Sequence, residues 1–367
     1  MGKKSIKVLH IDSEKGWRGG QQQVAYLAEG LIRNSYSTAI VCQPKSSLES
    51  YCREHGLPYF PIRMLNEVDF IAGLKIARIC YKHDFNILHL HASHSLSIGI
   101  LAKIFYPKLR LIAVRRVDFP VNKNLFSRFK YRTNFVDRIV CISDGIRRVL
   151  LQSGVPEDKL ITINSGINLK KFAHIERNNK LKENLGIPSD HLIVGTVAAM
   201  VGHKDYPNLL KAAKMVIDQV DRVSFCAVGD GPDREKITNL AQSLNLDRRF
   251  IFTGFQQDIG QFLKIFDIFV LASHLEGLGT SMLDAQAIGL PIVGSETGGI
   301  PEAVIHNQTG LLVPPQDEEA LAKAILKLVT DAKLRKKLGE QALKQVRKFD
   351  INVTIKKNIQ LYNELIN

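Results

Sequence analysis

Residues 268–302 read IFVLASHLEGLGTSMLDAQAIGLPIVGSETGGIPE. The run Ile268-Phe269-Val270-Leu271 is too short for a helix and predicts a buried strand ending near Ser273-His274. Glu276-Gly277-Leu278-Gly279-Thr280 follows, then a helical segment from Ser281 to Ile288. Gly289 suits the left-handed position just past a helix, and Pro291 prevents the helix from continuing. A second strand, Pro291 to Gly294, leads into Thr297-Gly298-Gly299-Ile300-Pro301-Glu302, where Pro301 suits the first turn of another helix. Strand, glycine loop and helix thus occur twice in succession.

In an open parallel sheet, ligands lie at the carboxyl ends of strands, beside helix N-termini that attract phosphate. Glu276 precedes the first helix and Asp284 lies about one turn inside it. Both are placed to face a ligand, with the free amides near Gly279 and Thr280 expected to carry its diphosphate. Each carboxylate accepts hydrogen bonds from neighbouring hydroxyls, which suits a sugar on one side and a ribose on the other.

These residues resemble the E-x7-E region of retaining glycosyltransferases of the GT-B fold, family four. The matching positions are Ser273, Glu276-Gly277-Leu278-Gly279, Leu283-Asp284-Ala285 and Gly289-Leu290-Pro291. Asp284 stands where the family carries a second Glu. The resemblance implies an α/β protein of two doubly wound Rossmann-like domains facing a cleft. A nucleotide-diphosphate sugar binds the second domain as co-substrate, and an acceptor binds the first. Glu276 then contacts hydroxyls of the transferred sugar and Asp284 the ribose, with no covalent nucleophile and no divalent metal. No Asp-x-Asp motif occurs.

The first half alternates strands (Lys7–Ile11, Thr38–Cys42, Ile87–His91, Arg110–Val114, Arg138–Ile142, Leu160–Ile163) with helical patterns, as a doubly wound parallel sheet requires. Domain one is expected over residues 1–168 and domain two over 186–350, separated by a polar run and the turn Gly186-Ile187-Pro188. In the resembled fold, a last helix near 351–367 packs back on the first domain. Gly19-Gly20 after the first strand resembles the family's donor-approaching pair. His203 and Lys204 precede a helix from about Asn208, and Lys204 reaches the diphosphate. Many relatives have an Arg five residues before this Lys, where Ala199 stands here. Gly229 lies in the family's Gly-x-Gly-Pro turn, and Gly254 with Phe255 in its base-holding loop.

On the acceptor side, His89, His91 and His94 lie at a strand end. They offer metal-type ligands without further convergent partners, so a cleft-lining role for His91 and His94 is the better reading. Arg115, Arg116 and Asp118 also fall at a strand end, where paired arginines suit phosphate or carboxylate. Arg116 occupies about the place of a family His that touches the transferred sugar. Glu276, Lys204, Arg116 and His94 are therefore the expected catalytic group.

The net charge of +14 is uneven. Residues 1–186 hold 30 Lys and Arg against 15 Asp and Glu, a net of +15, and the remainder 20 against 21, a net of −1. Such asymmetry points the first half at an anionic partner, with an anionic membrane surface as a candidate. Lys123, Arg128, Lys130, Arg132 and Arg138, interleaved with Leu125, Phe126, Phe129 and Phe135, are the expected contact segment. No nucleic-acid-binding motif accompanies the charge. No run has transmembrane length, and five cysteines without metal-ligand spacing suit reduced thiols, so a cytoplasmic or peripheral inner-membrane location is expected. A nucleotide-sugar epimerase, a nicotinamide oxidoreductase and a non-catalytic nucleic-acid binder are the rival readings. The oxidoreductase lacks a G-x-G-x-x-G fingerprint.

Overall fold

The computed structural model describes residues 5–121, 125–246 and 248–366, with residues 125–127 as backbone only. Contacts divide the chain into two compact units, Met1–Gly166 with Ile351–Asn367, and Ile167–Asp350. The first carries seven parallel strands: β1 (Lys7–Ile11), β2 (Ser37–Cys42), β3 (Tyr59–Pro61), β4 (Ile87–Leu90), β5 (Arg110–Arg115), β6 (Arg138–Cys141) and β7 (Leu160–Thr162). Their order is β3-β2-β1-β4-β5-β6-β7. The second carries β8 (Leu192–Val197), β9 (Val223–Val228), β10 (Phe250–Phe252), β11 (Ile268–Leu271), β12 (Ile292–Ser295) and β13 (Gly310–Val313). Their order is β10-β9-β8-β11-β12-β13.

Central strands such as β4, β9 and β11 are buried along their whole length. Helices cover both faces, so these strands read as unbroken apolar runs rather than alternating ones. Each order reverses once, between β1 and β4 and between β8 and β11. Loops leaving those neighbouring strands run to opposite faces and open a crevice at the sheet's carboxyl edge.

Residues 167–185 pack within the second unit. Arg177 pairs with Asp267 at 3.1 Å, and Gly260 lies against Phe172 and Ile175. All five cysteines are free and buried. Among the described residues, no helix is long and apolar enough to cross a membrane.

Within the basic segment, the described cations Lys130, Arg132 and Arg138 are engaged by protein partners. Lys123 lies outside the described residues. Lys130 is buried, and its ammonium donates to Glu67 Oε1 at 3.0 Å and Ser93 Oγ at 2.9 Å. Arg132 donates to the Ser153 carbonyl and Arg138 to that of Asp137. Cations withdrawn from water need such partners, so the fold consumes them as cross-links.

Helix Ile351–Ile366 packs on helix Gly19–Arg33 of the first unit. Gly30 makes this approach possible, since a Cβ there would stand 2.3 Å from Ile355 Cδ1. Gly30→Val should therefore wedge the two helices apart and cost about 1–3 kcal/mol, read as a lowered denaturation midpoint. An unchanged midpoint would mean that the C-terminal helix does not depend on this contact.

Candidate active site

In the second unit, β11 delivers the loop Ser273–Gly279. Gly279 is left-handed, with φ of 81°, and caps helix Thr280–Ala287. A Cβ there would sit 2.9 Å from Leu271, so glycine is required on two counts. First-turn amides of an α-helix have no intrahelical acceptor and remain available to an anion. The Glu276 carboxylate accepts from Ser273 Oγ at 3.2 Å and contacts the Lys204 ammonium. Lys204 arrives from the other side of the switch, in the turn Gly202–Lys204 after β8.

Three backbone-anchored contacts lock these loops together. His274 N–H donates to the His203 carbonyl at 3.0 Å, and Gly299 N–H to that of Glu276 at 3.0 Å. Thr297 Oγ1 donates to the His274 carbonyl at 3.1 Å. Gly277 and Leu278 are buried within this knot, and Thr280 is half-buried. Gly229, with φ of 142°, passes so close to the Ala198 carbonyl that a Cβ would stand 2.1 Å from its oxygen. The Gly229 N–H donates to Gly254 at 2.9 Å, which ties the β8, β9 and β10 loops into one rim with Phe255 exposed beside it. Ala199 contributes no cation. Arg234, overlooked in the sequence, lies over Gly254 and pairs with Asp230 at 2.9 Å.

Asp284 departs from the simple carboxylate expected of it. Burial pushes its carboxyl up to about 7, against an opposing pull from Lys171. Near neutral pH it is divided between donor and acceptor forms.

In the first unit, the crevice beside β1 and β4 holds a cavity of about 440 Å³ that includes Arg18, Gly20, His91, Arg115 and Arg116 in its lining. Gly20 leaves room for Arg116, whose Cδ would lie 3.7 Å from a Cβ there. Gly19 opens the helix, and Gln21 fastens it. Gln21 Oε1 accepts from Arg18 N–H at 3.0 Å while its Nε2 donates to both Asp12 oxygens. A Gln three residues into a helix is a capping-box signal that the sequence offered.

Arg116 donates to Ser165 Oγ at 3.2 Å and to His91 Nδ1 at 3.3 Å. Burial lowers the guanidinium to about 10, with Asp12 pulling the other way, so it stays charged at neutral pH. Because arginine only donates, His91 Nδ1 is an acceptor and its proton sits on Nε2. That N–H donates to His10 Nδ1 at 3.0 Å, which places the His10 proton on Nε2. His89 bonds the Tyr362 hydroxyl at 2.6 Å through Nδ1. Burial keeps all three rings neutral, with His10 lowered to about 3 and His89 and His91 well below the usual range.

One nitrogen from each of His10, His89 and His91 lies within 4.8 Å of the others. His10, not His94, completes the group, because β1 pairs His10 with His89 in register. A divalent ion on His91 Nε2 would displace its proton to Nδ1, which would then face the Arg116 N–H. The hydrogen bonds therefore favour neutral imidazoles over a ligand set.

His94 sits apart from the cavity lining, on helix Ser93–Phe105. It acts on Asp69, where the amides of Leu65 and Ala72 and then His94 outweigh burial and lower the carboxyl. Arg115 is buried, donating to the Tyr131 hydroxyl at 3.2 Å and to the Phe119 carbonyl, and Asp118 is buried near it in sequence. Arg115 therefore braces the strand end, while Arg116 is the cation held within the crevice.

Two family models match the chain in succession: Glycosyltransferase Family 4 over residues 17–171 and Glycosyl transferases group 1 over residues 177–345. N-acetyl-alpha-D-glucosaminyl L-malate synthase of Bacillus anthracis is 24% identical over 302 residues, covering 81% of this chain and 79% of its own. UDP-Gal:alpha-D-GlcNAc-diphosphoundecaprenol alpha-1,3-galactosyltransferase of Escherichia coli is 24% identical over 383 residues, covering 98% and 97%. The Anabaena protein HepE, solved in complex with UDP, superposes with a TM-score of 0.84 at 19% identity, covering 97% of this chain and 99% of its own.

Asp284 gives a pH signature. Its folded value of about 7 exceeds the unfolded carboxyl near 4, so the folded state holds the extra proton between the two. Stability from this group is complete below about pH 4 and is lost as pH rises through about 7. Asp284→Asn should remove that slope in a series of denaturation curves. Parallel pH profiles for the two proteins would contradict it.

Proposed function

The chain belongs to family four of the GT-B glycosyltransferases, and from that premise we propose that it transfers a sugar with retention from a nucleotide-diphosphate sugar to a glycan or lipid-linked acceptor. The pathway is cell-envelope polysaccharide or lipopolysaccharide assembly, at the inner face of the membrane. The observation that supports this most is the Glu276–Lys204 contact beside the Gly279-capped helix, at the switch between β8 and β11. Donor hydroxyls find a carboxylate there, and the diphosphate finds an ammonium and helix amides. The UDP-linked donor named for the Escherichia coli relative makes uridine the first base to test.

As the bond from the sugar's anomeric carbon to the diphosphate oxygen breaks, negative charge grows on the leaving group. Lys204 and the amides at Thr280 and Ser281 stabilise that charge without reorganising, which lowers the barrier. Glu276 meets the ammonium through Oε2, and its carboxylate is the acceptor that the sugar hydroxyls meet. The acceptor hydroxyl attacks the same face, and its proton passes to a phosphate oxygen of the departing nucleotide. Arg116 supplies a fixed cation for an anionic acceptor. No step calls for a metal ion.

Incubation with uridine, guanosine and adenosine diphosphate sugars should release nucleoside diphosphate from one of them, and the product anomer should match the donor. An inverted product would overturn the retaining reading. Glu276→Gln should keep donor affinity near wild type while cutting transfer ~10²-fold or more; wild-type turnover would remove Glu276 from the chemistry.

Activity should also persist in a chelator. Loss on chelation, restored by one added divalent ion, would reverse the metal-free scheme.

A further inference from the structure

Helix Phe70–His83 turns Ala72, Gly73, Ile76, Ala77 and Cys80 into the protein. Gly73 lies against Leu101 of helix Ser93–Phe105. Among the described residues, the opposite face has no cover within its unit. Phe70 is 59% exposed, Ile71 69% and Leu74 53%, and the loop before them adds Leu65 at 64% and Val68 at 57%. Single exposed apolar side chains are ordinary, but five within ten residues make a patch that a water-facing surface avoids.

Charge along the same helix is ordered. The apolar group occupies the first turn and the loop before it, while Lys75, Arg78 and Lys82 are exposed in the turns behind. At 1.5 Å per residue, Arg78 follows Leu74 by about 6 Å. An apolar tip with a cationic collar at that spacing matches acyl chains beneath anionic headgroups. The nearby acids do not oppose it. Glu67 pairs with Lys130, and Asp69 accepts from the amides of Leu65 and Ala72.

The patch adjoins the cavity. The helix begins at the carboxyl edge of the sheet, as does Ser93, which lines the cavity. Buried Lys130 bridges them, donating to Ser93 Oγ at 2.9 Å and to Glu67 at 3.0 Å. Phe129, one residue away, is 54% exposed.

We propose that Leu65, Val68, Phe70, Ile71 and Leu74 insert into an anionic bilayer, with Lys75, Arg78 and Lys82 at headgroup level. The first-unit cavity is thereby brought to the membrane surface, where a lipid-linked acceptor presents its head. The proposal deepens the lipid-linked acceptor reading and rests on it for its biological sense. It moves the membrane contact from segment 122–138, whose cations are largely consumed internally, to segment 65–82.

The full-length chain is sedimented with vesicles of phosphatidylcholine alone and of phosphatidylcholine with phosphatidylglycerol, across a salt series. Wild type should bind the anionic vesicles and lose binding as salt rises. Ile71→Asp with Leu74→Asp should lower partitioning at least about tenfold, and Lys75→Gln, Arg78→Gln and Lys82→Gln together should flatten the salt dependence. Both variants should keep wild-type thermal midpoints and donor hydrolysis, since every changed side chain is exposed and outside the proposed chemistry. Absence of wild-type binding, undiminished binding by the double variant, or equal binding to neutral vesicles overturns the proposal. So does a wild-type dimer in sedimentation equilibrium that the double variant dissolves, because the patch would then belong to a second copy. The two readings fail separately. Vesicle binding without turnover of any donor sinks the transferase reading alone, and turnover with a soluble acceptor without vesicle binding sinks the docking surface alone.

Discussion

The contact between the Lys204 ammonium and the Glu276 carboxylate is what the loops of the second unit exist to hold. Its side chains are 16% and 10% exposed, so each charge has surrendered most of its water and depends on the other. The partners lie 72 residues apart in sequence and meet only because β8 and β11 are neighbours. Gly279, Gly299 and the carbonyls of His203 and His274 then fix the approach. A sheet with another strand order would have the same residues and no site.

The first unit meets the same geometry with different chemistry. No carboxylate–ammonium pair fills its switch point. Arg116 is instead held by a hydroxyl and a neutral imidazole, with the Asp12 carboxylate acting on its charge. Neutrality matters here, because a protonated His91 would present an N–H to the guanidinium and lose the bond. His10, buried behind His91, accepts through Nδ1 from the His91 Nε2–H and so supports the tautomer whose bare Nδ1 faces Arg116. Asp12, the anion that acts on Arg116, is itself fastened by Gln21.

Unbroken apolar runs made the central strands legible, and glycine and proline punctuation placed the helices around Gly279, Gly289 and Pro301. Two of the four edge strands, β3 and β13, were missed for a physical reason. β3 is three residues, half exposed, and ends on Pro61, and β13 is only four residues opening on glycine. Neither carries a buried run long enough to register. Within the candidate site, the positions of Glu276, Lys204 and Gly279 at strand ends and a helix start were readable because glycine punctuation and the family resemblance mark them. His10 was not, since only strand register brings it to His89 and His91. Lys130 was misjudged for a related reason. A basic residue in sequence looks like surface charge until tertiary contacts reveal which hydroxyls and carbonyls have claimed it.

The return of helix Ile351–Ile366 to the first unit also orders the protein's birth. Residues 167–350 form a continuous stretch and can close their own sheet while the end of the chain is still within the ribosome. The first unit cannot. Gly30 waits for Ile355, and His89 waits for the Tyr362 hydroxyl, both supplied by residues made after the whole of the second unit. Domains commonly mature from the N-terminus onward during synthesis, but here the half translated first is completed last. The Arg116 crevice is thus finished only after residues 351–366 have been made, so a chain cut before them can close the sheet of the second unit and still lack a sound first unit.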